Sequence, residues 1–188
     1  VNVYCCFDNE EVGSNTKQGA MSTFLKDVLH RINNGLGKSE EEYYQAIAKT
    51  FLVSCDNAHA LHPNHSEKTD AVNYVTMNGG IVIKESANQK YTTDAFSRAL
   101  FTGICQNVNV PVQSFANRSD ILGGSTLGNL SNTQVSVHAV DFGLAQLAMH
   151  SCFETAGVKD TEYAIVALKE LYETNVQIEE AESVCLEK

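Results

Sequence analysis

The feature that most constrains the fold is an alternation of short apolar runs with segments of helical periodicity. The β-prone runs are residues 1–7, 51–55, 80–84, 110–112 and 135–142. Apolar positions recur at helical spacing in residues 21–35, 39–50, 93–104 and 161–172. Because short apolar strands separated by helices are typical of a sheet covered on both faces, the pattern predicts an α/β fold, a three-layer sandwich with a mostly parallel central sheet. The run Val1–Phe7 is expected to be a central strand.

Polar residues at the helix boundaries predict where several helices begin and end. Ser39 and Glu42 form a capping-box pattern, in which each side chain accepts a hydrogen bond from the other residue's backbone. Asn33-Asn34-Gly35 is a plausible end for the first helix. We expect Thr93 and Thr161 to cap the third and the last predicted helices.

Composition narrows the class of protein. The 188 residues suffice for one domain, with 43% hydrophobic and 19% charged residues. A net charge of -10 argues against nucleic-acid binding, which needs a basic surface. No apolar run approaches the 18 or more residues of a membrane span and no signal peptide is visible, so we expect no membrane partner. The 6 cysteines form no CxxC pair, which is typical of a reduced, cytoplasmic protein.

Carboxylates follow the first two predicted strands. Glu10 and Glu11 lie in the turn after the first strand, and Asp56 follows the second directly. Functional residues of α/β proteins collect just past the strand ends. Adjacent carboxylates point in different directions, so one can bind a metal while the other faces a water. A solvated acidic turn is the alternative for Glu10 and Glu11, whereas a buried Asp56 would need a cation or several donors.

The histidines extend this set. His150 alone would be read as a core residue, but with a glutamate and an aspartate near other strand ends it completes a donor set that suits zinc, manganese or cobalt. His59 and His62 are spaced as if on a helix, but Pro63 argues against a helix there. We therefore expect His62 and His65 to be loop residues without a functional role.

One glycine-rich segment also stands out. Gly123–Gly128 lacks the Lys-Ser/Thr of a phosphate-binding loop. It is expected to be a turn that either lets the backbone approach a substrate or reverses the chain tightly.

Five motifs in order resemble one family, the aspartyl aminopeptidase and aminopeptidase I group of metallopeptidases. They are FDNEEVGS, SCDNAHALHPNHSEK, GIVIKESANQKY, GGSTLGN and VDFGLAQLAMHS. The resemblance runs over nearly the whole chain and ends at about Val176. It implies that residues 1–176 are the C-terminal part of a metallo-aminopeptidase catalytic domain. Residues 177–188, which show no clear periodicity, would be a tail.

The resemblance implies a role for each matching metal-site residue. Glu10 would be the general base that activates a metal-bound water. Glu11 and His150 would hold one metal ion, and Asp56 would hold the other. Two divalent ions are implied, with zinc expected first and manganese or cobalt as alternatives.

The resemblance also implies how substrate is held. Glu10 and Asp56 would contact the substrate, Asp56 through its N-terminal amine, and His59 and Lys84 match further substrate-contacting positions. Lys84 could pair with an acidic first side chain, which would fit release of N-terminal Asp or Glu. Peptides are the implied substrates, and large closed homo-oligomers the implied assembly.

The chain departs from the family pattern in what it lacks. The family also uses an N-terminal histidine and a carboxylate that bridges both metals, and both would lie upstream of Val1. The family's second, inserted domain is absent too. Glu11, Asp56 and His150 are three of the five expected protein ligands, so we expect a fragment that cannot hold a proper two-metal centre alone.

Two other functions stay open at this point. One is another metal-dependent hydrolase of the same architecture, such as a carboxypeptidase or deacylase. The other is an inactive assembly or binding domain, to which the missing ligands give weight. NEEVGS and LAMHS favour the aminopeptidase, and release of a residue from a free-amine but not a blocked peptide would separate the hydrolases.

Overall fold

A four-stranded mixed sheet organises the chain. The computed structural model describes residues 1–180 and 183–187. The helices are α1 (Phe24–Gly35), α2 (Glu40–Ala48), α3 (Ala95–Asn107), α4 (Leu127–Ser131) and α5 (Val158–Glu173), with a 3-10 turn at Ser66–Lys68. The strands are β1 (Phe51–Cys55), β2 (Ala58–His59), β3 (Ile81–Glu85), β4 (Val112–Ala116), β5 (His138–Gly143), β6 (Ala145–Leu147), β7 (Thr155–Ala156), β8 (Asn175–Glu180) and β9 (Ser183–Glu187). Within the described ranges, no helix has the length and apolar character that a bilayer crossing requires.

The main sheet has the strand order β1-β5-β3-β4. β1 pairs with β5 in parallel, and so does β3 with β4, whereas β3 and β5 are antiparallel. The α/β fold is therefore confirmed, with parallel pairing in two of the three contacts between neighbouring strands. A smaller sheet, β2-β6-β7, extends from the ends of β1 and β5.

Helices cover both faces of the main sheet. On one face, α3 and α5 pack over a core that includes Ile83 and Val140, with the rings of Phe101 and Phe142 5.0 Å apart. On the other face, α4 packs against β1 and β5. The second core lies on that side and consists of Ala58, Ala60, Val75, Val82, Tyr91, Phe115 and Ala145. Alternation along each strand sends neighbouring residues to opposite cores.

The helices α2 and α3 both begin with a local capping box, in which residues three positions apart bind each other's backbone N–H groups. The Ser39 and Glu42 capping box is present, with the Ser39 N–H donating to Glu42 Oε2 at 2.8 Å. The prediction that Thr93 caps α3 is wrong, because Asp94 accepts from the Ser97 N–H at 2.7 Å. The Thr93 hydroxyl instead accepts from the N–H of Asp141 on β5.

The start of α5 also differs from the prediction. Thr161 is not a cap, because the helix begins at Val158 and contains it. The Lys159 N–H in its first turn donates to Asn78 Oδ1 at 3.0 Å. In return, the fully buried Asp160 carboxylate accepts from the Asn78 and Gly80 N–H groups at 2.6 and 3.0 Å. A side chain from a distant turn therefore supplies the cap.

The segment Val1–Phe7 forms no strand, so that prediction is wrong. No described residue pairs with its backbone, and the side chains of Val1 and Tyr4 are exposed. The Phe7 ring packs edge-on against Phe24 at 6.3 Å, which ties the segment to α1. A strand exists only with a pairing partner, whatever the β propensity of its residues.

The predicted tail contains regular structure. β8 and β9 form an antiparallel pair, and Val176, Val184 and Leu186 pack against the core beneath α3 and α5. Residues 181, 182 and 188 lie outside the described part of the chain. A domain boundary after Val176 stays a prediction.

Replacing Phe101 by alanine should lower the free energy of unfolding by about 3–5 kcal/mol, because a fully buried ring would leave a cavity against Phe142. Urea unfolding followed by circular dichroism measures this. The matched control is Phe153→Ala, where the ring is exposed and the change should stay within about 0.5 kcal/mol. Equal losses in the two variants would contradict this location of the core.

Candidate active site

Separate segments of the chain bring the six expected site residues to one end of the sheet. Asp56 follows β1, His59 lies in β2, and Lys84 is near the end of β3. β2 pairs in parallel with β6, and the loop after β6 carries His150. The turn of residues 8–13 supplies Glu10 and Glu11.

Lys84 and Asp56 form a partly buried ion pair. The Lys84 Nζ lies 3.5 Å from Asp56 Oδ2 and donates to the Asn57 carbonyl at 3.2 Å. The Lys84 side chain is 3% exposed, and its ammonium lies 5.1 Å from the centre of the Tyr91 ring. Burial lowers the pKa of Lys84, and the nearby carboxylates of Asp56 and Asp141 oppose that shift.

Glu11 and His150 meet on the open side of the site. His150 Nε2 lies 3.3 Å from Glu11 Oε2, and both side chains are about two-thirds exposed. Both Ala148 and His150 adopt positive φ, at 55° and 67°. The His150 N–H donates to Glu154 Oε1 at 2.6 Å. The loop therefore holds the imidazole beside the carboxylate with an unusual local backbone.

Glu10 lies among these charges. Partial burial raises its pKa, and the negative charges of Asp56 and Glu11 raise it further. His150 and Lys84 act in the opposite direction. A carboxylate with a raised pKa can accept a proton and return it near neutral pH.

The pKa of His59 shifts in the opposite direction from that of Glu10. Desolvation lowers its pKa, and the charges of His150 and Lys84 lower it further, while Asp56 opposes them. Desolvation therefore favours the neutral imidazole, which can donate or accept a hydrogen bond.

The carboxylate and imidazole side chains of the site suit zinc, but the described residues supply too few of them. Among residues 1–180 and 183–187, no group of three or more His, Cys, Asp or Glu side chains is arranged to hold a metal ion. Glu11 and His150 converge as a carboxylate and an imidazole, both ordinary zinc ligands. Zinc sites use three or four protein ligands, and Asp56 is paired with Lys84. The described residues therefore offer donors of the type that zinc uses, but not a complete set for one ion.

His62 and His65 border a cavity of about 330 Å³ that opens beside His59. Their rings lie 5.1 Å apart. As expected, neither lies in an α-helix or a strand. Their lack of a functional role stays a prediction.

Sequence reasoning missed the residues that surround Lys84. Asp141 is fully buried, and its Oδ2 accepts from the N–H and the hydroxyl of Thr92 at 2.6 and 2.7 Å. Thr92 directly follows Tyr91, whose ring faces Lys84. The available signal was an aspartate at the centre of an apolar strand, since a buried carboxylate needs partners.

The glycine-rich segment does not form the predicted turn, because residues 123–126 are irregular and the helix α4 begins at Leu127. Its last residue, Gly128, lies in α4, and the Thr126 side chain caps that helix. A Cβ at Gly128 would lie 2.7 Å from Ser54 Cβ and 2.8 Å from Asp141 Oδ1. Gly128 therefore lets α4 approach β1 and β5 closely, which is a structural use of the motif.

Comparison with known proteins shows a family match. The family described as aminopeptidase I zinc metalloprotease (M18) matches residues 1–172. A protein named probable M18 family aminopeptidase 2, from Clostridium novyi, is 48% identical over 171 residues, which are 91% of this chain and 40% of that protein. Aspartyl aminopeptidase 1 of Schizosaccharomyces pombe is 43% identical over 180 residues, 96% of this chain and 38% of that protein. The chain thus spans about 40% of the length of these relatives.

Solved structures show the same similarity. A chain in the cryo-EM structure of the Ape4 and Nbr1 complex has a TM-score of 0.86 and 44% identity, over 89% of this chain and 32% of that one. The S. cerevisiae mApe1 dodecamer has a TM-score of 0.75 and 26% identity, over 89% of this chain and 36% of that one. The fold of this chain is therefore found in other proteins.

Gly128→Ala should lower the free energy of unfolding by about 1–3 kcal/mol, because the added methyl group would overlap Ser54 and Asp141. Chemical denaturation measures the change. Gly124→Ala in the same motif is the control, because a Cβ there would meet nothing within 4 Å. If both alanine variants unfold at the same denaturant concentration as the parent, the close packing of α4 against β1 and β5 would be contradicted.

Proposed function

Because the chain belongs to the M18 family of aminopeptidase I zinc metalloproteases, we propose that it supplies part of the active site of a metal-dependent aminopeptidase. Such an enzyme removes N-terminal residues from peptides. One observation carries the proposal: Glu10 lies partly buried within the electrostatic reach of Asp56, Glu11 and His150. The family match favours this reaction over that of a carboxypeptidase or deacylase.

Glu10 is the proposed general base. Its raised pKa suits a group that takes a proton from the attacking water and passes it to the leaving amine. Glu11 with His150 would hold one metal ion and Asp56 the other. When bound, two zinc ions would polarise the scissile carbonyl and acidify the water. Manganese or cobalt could use the same donors.

The remaining site residues are proposed to hold the peptide. Asp56 would receive the N-terminal amine, and His59 would contact the substrate with a neutral imidazole. Lys84 offers a buried ammonium, which suits the carboxylate of an N-terminal Asp or Glu. The aspartyl aminopeptidase among the relatives supports this acidic preference.

Assembly and compartment are also proposals. The mApe1 dodecamer among the similar structures supports a homo-oligomer. The six cysteines are all free, which supports a reducing compartment such as the cytoplasm. Peptides are the proposed partners, and nucleic acid and membranes are not.

A chimera tests the proposed reaction: residues 1–172 of this chain replace the matching segment of the Clostridium novyi relative. We expect chelator-sensitive release of the first residue from a free-amine peptide, and none from its N-acetylated form. Glu10→Gln should lower kcat by about 10²–10⁴-fold, because proton transfer is lost. Glu162→Gln, exposed on α5, is the matched control and should leave kcat unchanged.

The 188-residue chain alone should show no robust turnover, because the donors in the described part of the chain do not complete a metal site. Chelator-sensitive activity of the isolated chain would contradict that expectation. Full activity of the Glu10→Gln chimera would contradict the assignment of the base.

Lys84→Met in the same chimera tests the acidic preference. We expect kcat/KM for a peptide with N-terminal Asp to fall by about tenfold or more relative to one with N-terminal Ala, because the buried counter-charge is lost. The ratio of the two kcat/KM values is the measurement. Lys169→Met, exposed on α5, is the control. An unchanged ratio in the Lys84 variant would remove Lys84 from substrate selection.

A further inference from the structure

Asp141 is a buried carboxylate to which the proposed reaction gives no role. It lies in the middle of β5 with 0% exposure. Its Oδ2 accepts from the Thr92 N–H at 2.6 Å and from the Thr92 hydroxyl at 2.7 Å. Its own N–H donates to the Thr93 hydroxyl at 2.9 Å. One strand residue thus binds two consecutive residues of a segment about 50 positions away in the chain.

The segment it binds is the loop of residues 86–93, which we call the β3–α3 loop. This loop carries Tyr91, which is 7% exposed and whose ring centre lies 5.1 Å from Lys84 Nζ. The Tyr91 hydroxyl accepts from Asn117 Nδ2 at 2.9 Å. The Gln89 carbonyl accepts from Asn129 Nδ2 at 2.7 Å. The loop is therefore held at three points, and its aromatic residue borders the Lys84 ammonium.

The attachment to Asp141 uses a carboxylate that is fully buried, and burying it costs free energy. Asp141 Oδ1 has no hydrogen-bond partner among the described residues. It lies where α4 packs closely, since a Cβ at Gly128 would approach it to 2.8 Å. A buried carboxylate oxygen without a partner destabilises a fold. Such a group calls for an explanation of why the fold keeps it.

We infer that Asp141 is a positioning residue for Lys84: its carboxylate fixes Thr92, and so the β3–α3 loop, such that the Tyr91 ring confines the Lys84 ammonium to the site. The inference rests on the proposed function in one respect, because Lys84 is the residue proposed to select an acidic N-terminal side chain. The test below needs no metal, substrate or turnover, so it can fail or succeed independently of that function.

Asp160 provides the comparison for a purely structural role. It is also fully buried and also accepts two strong hydrogen bonds, at 2.6 and 3.0 Å. Those bonds hold Asn78 and Gly80, before the start of β3, rather than the loop that follows it. Loss of either aspartate should destabilise the fold, but only Asp141 should affect the surroundings of Lys84.

The experiment uses the 188-residue chain labelled with ¹³C at the ε carbon of lysine. The Tyr91 ring should shift the Lys84 ε-proton resonances upfield, and Tyr91→Leu, which removes that shift, assigns them. Asp141→Ala should abolish the upfield shift. Asp141→Asn should keep it, because the amide oxygen can still accept from Thr92 while the NH₂ group takes the place of Oδ1. Asp160→Ala should keep it as well.

Three outcomes would overturn the inference. The Asp141→Ala variant could keep the upfield shift, the Asp160→Ala variant could lose it equally, or Asp141→Asn could lose it as Asp141→Ala does. If Asp141→Ala keeps the shift, Asp141 does not position Lys84. If Asp160→Ala loses it equally, the effect is one of general stability. If Asp141→Asn loses it, the hydrogen bonds to Thr92 do not carry the effect.

A second pair of variants covers the case in which Asp141→Ala fails to fold. Thr92→Val removes only the hydroxyl bond and should reduce the upfield shift in the same direction. In native conditions it should also speed trypsin cleavage after the exposed Lys90 by about tenfold, since a bond to a buried charge is lost. Thr133→Val, which loses a hydroxyl bond outside the loop, is the matched control and should change neither readout. If Thr92→Val folds and both readouts match the parent, the inference is wrong.

Discussion

The central position of β5 is the constraint on which the rest of the structure depends. It pairs in parallel with β1 on one side and antiparallel with β3 on the other, and residues 139–143 are all buried. Its alternation sends Val140 and Phe142 to the core under α3 and α5, and Asp141 to the opposite face. At its end, the Phe142 carbonyl accepts from the Asp56 N–H at 2.9 Å. A Cβ at Gly143 would lie 2.0 Å from the Asp56 carbonyl oxygen, so glycine permits the close approach that places Asp56.

Features encoded within a few residues of the chain can be read from the sequence, although the cap of α3 was assigned to Thr93 and not to its neighbour Asp94, and features that depend on distant partners cannot. The Ser39 capping box is local, and it was predicted correctly. The cap of α5 comes from Asn78, 81 positions away from the amide that it accepts, so no local pattern could reveal it. Val1–Phe7 has strand propensity, but no described residue pairs with it. Strand propensity alone therefore does not produce a strand, because a strand also needs a neighbouring strand to pair with.

The same distinction applies to the site. The acidic and histidine motifs could be found because several ordered motifs resemble a known family, and the structure brings their side chains within electrostatic reach of one another. Tyr91 and Asp141 lie within the same motifs, but the motifs do not show how these residues relate to Lys84. Asp141 on β5 binds Thr92 in a loop about 50 positions earlier, and single-sequence patterns do not show such a contact.

The ion pair between Asp56 and Lys84 explains how one carboxylate can serve two proposed partners. Lys84 has other neighbours, since it donates to the Asn57 carbonyl and faces the Tyr91 ring. A cation that approaches Asp56, whether a metal ion or a substrate amine, would compete with Lys84 for the same carboxylate. The charge of the Lys84 ammonium would then be balanced less fully by Asp56, and Lys84 would attract an incoming anion more strongly. An acidic N-terminal side chain is such an anion, and it arrives on the same molecule as the amine. If the proposed roles hold, the pair would link recognition of the amine to recognition of the first side chain, and this would account for a buried lysine beside a proposed metal ligand.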